Sequence, residues 1–332
     1  MKKFLIIPLF LVLFFLFLVI WWRNVSFPVN TRDSTPRDFL ITKGQSTSSI
    51  AKKLEKEGLV KSEFAFRFYV QLTGRDKKIP AGEYRLSANS SLQQLVEILS
   101  KGPQELWVTV PEGLRREEIA VRTIKALGLE GERAQAFWEG FIEASSGKEG
   151  FLFPDTYLFA RDIKPELVVS KLRSTFDSRV NGEMLSDLAK SGKTINEVII
   201  LASLIEREAR GDEERPVVTG ILLNRIKIGM ALQADASLQY VTGSERCRKD
   251  WLSCDWWKPP TAEDKTKRSA YNTYTNTGLP AGPISNPGIS SIKAAIYPQD
   301  TSYLYYLHDN DGKVHYAKTL EEHNSNVSRY LR

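Results

Sequence analysis

The sequence predicts an α+β protein: an N-terminal membrane-spanning helix, a small β-α-α-β subdomain and a larger mixed α+β domain. Three observations carry this. The chain opens on an unbroken apolar run, a strand–turn–helix pattern occurs twice before residue 105, and short strands follow among helices without a repeating βαβ period. With 332 residues, 42% of them hydrophobic and 26% charged, the chain can bury a core in each of two domains. The expected boundaries are a cytoplasmic stub at 1–3, the spanning helix at 4–22, a tether at 23–37, the small subdomain at 38–105 and the larger domain at 106–332.

Phe4 to Trp22 would measure roughly 28 Å as a helix, enough to cross a bilayer core. Lys2 and Lys3 precede the run and Trp21-Trp22-Arg23 follow it, which places positive charge inside and aromatic anchors at the far interface. A cleaved signal peptide is the competing reading. No small-x-small site follows the run, and its length exceeds a typical signal core. Everything after about Arg23 is then expected outside the cytoplasmic membrane. Asn24–Arg37 is polar, contains Pro28 and Pro36, and reads as a tether.

Phe39–Gly58 and Glu83–Gly102 each give a short strand, a Ser-rich helix start, an amphipathic helix and a closing glycine, aligning Ser46 with Ser90 and Ala51 with Leu95. A weaker third echo lies at Val110–Ala120. Between the first two lies a helix dense in apolar residues, Phe64, Phe66, Phe68, Tyr69, Val70 and Leu72, ended by Gly74. This layout and the GQSTSSIA turn resemble the LysM-like module, and the resemblance implies binding of amino-sugar polymers. Core packing is the other reading of the Phe64–Tyr69 aromatics.

The net charge of +6 is spread among interleaved acidic residues, so no basic stripe points to nucleic acid. His308, His315 and His323 lack metal-ligand spacing, and neither a metal nor a cofactor is expected. Cys247 and Cys254 would close a short disulfide loop in an oxidising compartment.

In the larger domain helices are expected near Arg115–Leu127, Arg133–Ala144, Glu166–Ser178, Glu183–Ala189 and Arg215–Ile228, with a hairpin turn at Asp309–Gly312 between Tyr303–Tyr306 and Lys313–Ala317. The organising stretch is Thr194–Gly211. Thr194 and Glu197 fit a capping box, Gly211 fits a stop, and Val198–Ile205 is apolar or small on every face, so this helix should run through a domain interior. Glu206 then emerges one turn beyond Ala202 and Ser203, where small side chains leave room for a ligand. Apolar surroundings and the helix C-terminal dipole would favour its protonated form, as a general acid requires. An ordinary ion pair with Arg210 at i+4 is the competing reading.

Five ordered motifs tip that balance. EGFLFPDTY (Glu149–Tyr157), LASLIEREA (Leu201–Ala209), LLNRIKIGMALQADASLQY (Leu222–Tyr240), YNTYTNTGLPAGPISNPGISSIKAA (Tyr271–Ala295) and TLEEHN (Thr319–Asn324) together resemble the YceG-like family of endolytic murein transglycosylases. The resemblance implies a bacterial inner-membrane enzyme with a single-pass anchor and a periplasmic catalytic domain. Such enzymes cut peptidoglycan strands between N-acetylmuramic acid and N-acetylglucosamine and leave 1,6-anhydromuramic ends. It also implies proximity to penicillin-binding synthases. The family's A-S-x-x-E motif puts the catalytic glutamate at Glu206, with Glu208 a charged bystander.

A lytic reaction can run on one glutamate, acid then base, because the sugar's own C6 hydroxyl attacks C1, whereas hydrolysis needs a second carboxylate. Gln233, Asp235, Asn272 and Tyr274 are candidates to orient acetamido and hydroxyl groups, with helix capping the alternative for Asp235 and core packing for Tyr274. Gly278–Gly288 is expected to form a rigid cleft wall. Departures from the family pattern are Ala281, where a second proline is common, and Ser237, where a threonine often stands. Cys247–Arg268 has no assigned role, and its Trp251, Trp256 and Trp257 would serve as a sugar-stacking lip or as loop packing. The rival functions are a muramidase with Asp235 or Glu208 as second carboxylate, and a noncatalytic glycan-binding scaffold on the membrane.

Overall fold

The computed structural model describes residues 3–42, 44–75, 79–103 and 105–331, with side chains of the first helix from Val12 onward. Among these residues the fold is α+β, with thirteen α-helices, a four-stranded sheet and a two-stranded antiparallel sheet. Two compact units are present: residues 1–107 with 158–162, and residues 108–157 with 163–332.

The first unit opens with α1 (Lys3–Ser26), then β1 (Arg37–Ile41), α2 (Thr47–Lys56), α3 (Glu63–Leu72), β2 (Gly82–Leu86), α4 (Leu92–Lys101) and β3 (Glu105–Thr109). Among the described residues no helix is long and apolar enough to cross a membrane. The backbone of α1 runs for 24 residues, and its side chains from Val12 to Ile20 are 40–67% exposed. Serine starts each of the next three helices. Ser46 accepts from the Ser49 amide at 3.2 Å, Ser62 from Ala65 at 3.2 Å, and Ser91 from Gln94 at 3.3 Å, with the Gln94 side chain closing a capping box. The repeat therefore aligns Ser46 with Ser91, one residue beyond the alignment read from the sequence, because Ser90 lies in the turn and Ser91 is the cap. β1 and β2 pair antiparallel with Phe39 opposite Tyr84, and both side chains are buried with Leu54, Phe66, Leu95 and Leu99. On α3 the apolar residues split between two faces: Ala65, Phe66 and Val70 are buried, whereas Phe64, Phe68 and Leu72 are exposed.

The second unit continues with α5 (Arg116–Leu127), α6 (Gly131–Ala144), β4 (Thr156–Ala160), α7 (Pro165–Arg179), α8 (Gly182–Lys190), α9 (Ile195–Glu208), α10 (Arg215–Lys227), α11 (Asp235–Arg246), α12 (Ile289–Ile296), β5 (Tyr305–His308), β6 (Val314–Ala317) and α13 (Leu320–Tyr330). β4 closes a four-stranded sheet in the order β1-β2-β3-β4, and Leu158–Asp162, the last three residues of β4 and the two that follow, belongs to the first unit. The first six of these helices, α5 to α10, stand within a few residues of their expected positions. α11, α12 and α13 are additional. β5 begins two residues after the expected strand and pairs with β6 through Tyr306 opposite Tyr316.

α9 is the axis of this unit. Every residue from Val198 to Ile205 is buried, and the surrounding layer is drawn from α7, α8, α10, α11 and α12. Thr194 and Glu197 form the expected capping box, with the Glu197 carboxylate accepting from the Thr194 amide at 2.7 Å. α10 approaches the chain after α12 so closely that a Cβ at Gly220 would overlap the Gln299 carbonyl oxygen.

That contact gives a test of packing. In an open helix, Gly→Ala stabilises by roughly 1 kcal/mol. Gly220→Ala is expected to do the opposite, lowering stability by about 1–3 kcal/mol, while Gly211→Ala, with open space at its Cβ, stays near neutral. Thermal melts of the two variants decide it; an unchanged or raised midpoint for Gly220→Ala would contradict the packing.

Candidate active site

Glu206 stands in the last turn of α9, and its side chain is only 6% exposed. Each carboxylate oxygen has its own donor. Arg215 Nη2, in the first turn of α10, donates to Oε1 at 3.1 Å, and the Gly288 amide donates to Oε2 at 2.9 Å. Among the described residues the competing ion pair with Arg210 is not formed, and the backbone amides of Arg210 and Gly211 donate to Glu214. Arg215 also pairs with Asp212, which fixes the guanidinium from the far side. The apolar shaft of α9 thus ends in a head held by one cation and one backbone N–H.

The loop that supplies Gly288 is tied to α9 one turn earlier. Ser203 Oγ accepts from the Ile284 amide at 3.1 Å, and Ser285 Oγ donates to the Ser203 carbonyl at 3.1 Å. Asn286 extends the lock. Its amide and Nδ2 both donate to the Leu114 carbonyl, its carbonyl accepts from Gly113, and its Oδ1 accepts from Leu152. Gly113 has φ +75°, and a Cβ there would stand 3.4 Å from Glu206 Cγ. Ser203, Gly113 and Asn286 together set where Glu206 and Gly288 meet.

A second carboxyl group reaches the same place. Glu112 is exposed but lies against Gly288, where a Cβ would overlap its carboxyl group. Glu112 and Glu206 therefore meet one residue from two sides, no further apart than the ~9.5 Å across which paired carboxylates act in glycoside hydrolysis. Partial burial, and then the charge of Glu206, raise the Glu112 proton affinity against the opposing pull of Arg215.

The other sequence-selected residues gather elsewhere. Gln233, Asp235 and Tyr274 line a cleft of ≈ 600 Å³ together with Glu208, Arg225, Lys265 and Tyr306. Glu206 does not line that cleft, since residues two apart on a helix point to opposite sides. Asp235 is the first residue of α11, where its side chain makes no cap; it accepts from the Tyr274 hydroxyl at 2.5 Å. Gln233 holds a left-handed φ of +50°, unusual for a residue with a side chain. Asn272 is 1% exposed, its Nδ2 donating to the Lys265 and Lys267 carbonyls and its Oδ1 accepting from the Tyr274 amide. Its side-chain amide thus holds together the loop that carries Tyr274. Glu208, on the wall of the same cleft, accepts from the Tyr306 hydroxyl at 2.8 Å, and burial raises its proton affinity. Among the described residues no three His, Cys, Asp or Glu side chains converge as a metal site would require.

A YceG-like family model matches residues 39–329. The chain belongs to the YceG-like family. It is similar to an endolytic murein transglycosylase of Bacillus subtilis, with 30% identity over 94% of this chain and 89% of that protein. It is also similar to one of Streptococcus pneumoniae, with 30% identity over 88% of this chain and 58% of that longer protein. The crystal structure of a YceG-like protein from Listeria monocytogenes, 28% identical, covers 88% of this chain and 99% of its own with a TM-score of 0.57.

Around this YceG-like site the disulfide Cys247–Cys254 is formed, with Cα atoms 5.4 Å apart. The tryptophans near it pack rather than stand free. Trp251 stacks on Trp138 at 4.3 Å, Trp256 is 6% exposed, and Trp257 donates to Glu118 at 2.8 Å under the Arg207 guanidinium. Sequence reasoning missed Arg215, Gly288, Glu112 and the fully buried Arg115, which bonds the Tyr240 carbonyl and Ser244. Their signal was present only as VPEG before α5 and an arginine at a helix start, neither of which specifies a partner.

Glu149 underlies the site. It accepts from Asn286 Nδ2 at 2.7 Å, the Arg116 amide at 3.0 Å and the Tyr240 hydroxyl at 3.3 Å. Burial, with the nearby Glu117 charge adding to it, pushes its pKa from 4.5 up to about 8, against the pull of Arg115 and Arg116. A raised folded-state value means the folded state holds the proton longer, so this stability is complete below about 4.5 and is lost as pH rises through about 8. The thermal midpoint is expected to fall between pH 5 and 9, and Glu149→Gln, which mimics the protonated form, should flatten part of that fall. An identical slope in the variant would contradict the assignment.

Proposed function

We propose that this chain is a membrane-anchored lytic transglycosylase that cleaves peptidoglycan strands internally, between N-acetylmuramic acid and N-acetylglucosamine. The observation that carries the reading is the environment of Glu206: a nearly buried carboxyl group at the end of an apolar helix, with one donor on each oxygen. The names and coverage of the relatives support the substrate class.

In this mechanism Glu206 gives its proton to the bridging oxygen as the C1–O bond breaks. Arg215 and the Gly288 amide then hold the carboxylate that remains, and the developing positive charge at C1 faces both Glu206 and Glu112. The C6 hydroxyl of the muramic ring attacks C1 and returns its proton to Glu206. No water is consumed and the acid is regenerated. Gln233, Asp235 and Tyr274, on the Glu208 side of α9, are proposed to hold a more distant sugar of the strand.

A second reading is favoured by the position of Glu112. If that carboxylate activated water, the enzyme would be a muramidase giving reducing ends. Asp235 and Glu208, the partners first considered for that role, are bonded to Tyr274 and Tyr306 in the cleft that Glu206 does not line.

The anchor is proposed to be Phe4–Trp22 within α1, which leaves the rest of the chain in the periplasm. The exposed apolar sleeve at Val12–Ile20 and the Cys247–Cys254 disulfide, a bond suited to an oxidising compartment, support that orientation. The first unit keeps the β-α-α-β order of a LysM-like module, and glycan binding by it is part of the same proposal.

Digestion of purified peptidoglycan with mass analysis of the released ends tests the chemistry. Glu206→Gln is expected to lose about 10²–10⁴-fold in rate while still binding strands. Glu112→Gln is expected to slow the reaction by about tenfold, the loss of one stabilising charge worth roughly 1.4 kcal/mol, and to keep the anhydro product. Complete loss of activity in Glu112→Gln, with reducing ends from the native protein, would establish the muramidase reading instead.

A further inference from the structure

α3 carries an apolar row that its own unit leaves largely exposed. Phe64, Phe68 and Leu72 are 62%, 46% and 70% exposed, and their spacing of four residues places them in one line of roughly 12 Å along the helix. Exposed Arg67 lies in the same row, three residues beyond Phe64. The opposite face, Ala65, Phe66 and Val70, is buried, so this row is surplus to the core.

The row runs directly into the end of α1. Trp21 meets Phe64 with ring centroids 6.3 Å apart, Trp22 meets Phe68 at 6.0 Å and Tyr69 at 5.9 Å, and Phe64 stacks on Phe68 at 6.4 Å. Lys61 Nζ donates to the Asn24 carbonyl at 3.1 Å, tying the last turn of α1 to the start of α3. On the other side of the tryptophans lies the exposed apolar sleeve of α1, Val12–Ile20. One apolar surface therefore continues from α1 through Trp21 and Trp22 onto α3. Arg23, Lys61 and Arg67 stand beside it.

Indole and phenyl rings flanked by long basic side chains are the chemistry of the bilayer interface, where rings sit at headgroup depth and ammonium and guanidinium groups reach lipid phosphates. We propose that Phe64, Phe68 and Leu72 form a foot that rests in the headgroup and upper acyl layer of the bilayer that α1 enters. This rests on the reading of α1 as a membrane anchor. The foot would hold the first unit against the membrane, where a flexible tether alone would let it swing.

The test uses the full chain in vesicles of phosphatidylethanolamine and phosphatidylglycerol. An environment-sensitive fluorophore is placed at Phe68→Cys, at Leu72→Cys and at Arg85→Cys, an exposed position on β2; both native cysteines are disulfide-bonded and do not react. The proposal expects labels at 68 and 72 to emit at shorter wavelength, to be quenched by headgroup-level spin-labelled lipid and to lose most iodide quenching, while the label at 85 shows the reverse. If the chain floats with the vesicles but labels at 68 and 72 behave like the one at 85, the foot is overturned and the anchor stands. Protection at 68 and 72 that appears only on adding peptidoglycan or another protein would also overturn it, in favour of that occupant. A chain that does not float would overturn both.

Discussion

The site depends on the meeting of the Glu206 carboxylate with Arg215 on one side and the Gly288 amide on the other. An amide N–H and a guanidinium are strong donors to an anion, and in a site largely screened from water they act with little competition. Their value lies in geometry: Arg215 comes from the start of the next helix and Gly288 from a loop 82 residues beyond Glu206, so the two donors meet the carboxylate only once the unit has folded. The buried Ser203 and Asn286 bonds place the Gly288 loop, and the buried shaft of α9 places the glutamate. Much of what surrounds the site can be understood as holding those two against each other.

This arrangement gives small residues a role that composition does not reveal. Ser203 spends both of its hydrogen-bonding directions, one on its own helix and one on Ile284, so the A-S step of the motif is the seat of a loop as well as clearance for a ligand. Gly288 admits the Glu112 carboxyl, and Gly113 lets the chain pass beside Glu206. A side chain at Gly288 would have to displace the Glu112 carboxyl group, and one at Gly113 would be strained by its φ of +75°.

Local patterns were legible in the sequence, and long-range partnerships were not. The capping box at Thr194, the buried run to Ile205 and the emergence of Glu206 follow from spacing alone, because a helix fixes its own periodicity. α11 to α13 escaped because their apolar residues are few or interrupted by serine and asparagine, and the serine repeat was set one residue off because adjacent serines compete for one cap. Asn272 stands out in the sequence as a short amide between tyrosines and threonines, but spacing does not reveal that its side chain bonds backbone groups of its own loop. Arg210 was the natural partner for Glu206 by helix arithmetic, but α9 ends at Glu208, and the chain then turns to bring Arg215 into that place.

The central claim is that one carboxyl group closes the cycle without water. Digesting purified peptidoglycan strands in water enriched in oxygen-18, with mass analysis of the new muramic ends, tests it most directly. The account predicts anhydro ends free of the heavy isotope from the first turnover onward. Ends that carry one heavy oxygen at the anomeric carbon would show that water attacks, and would contradict it.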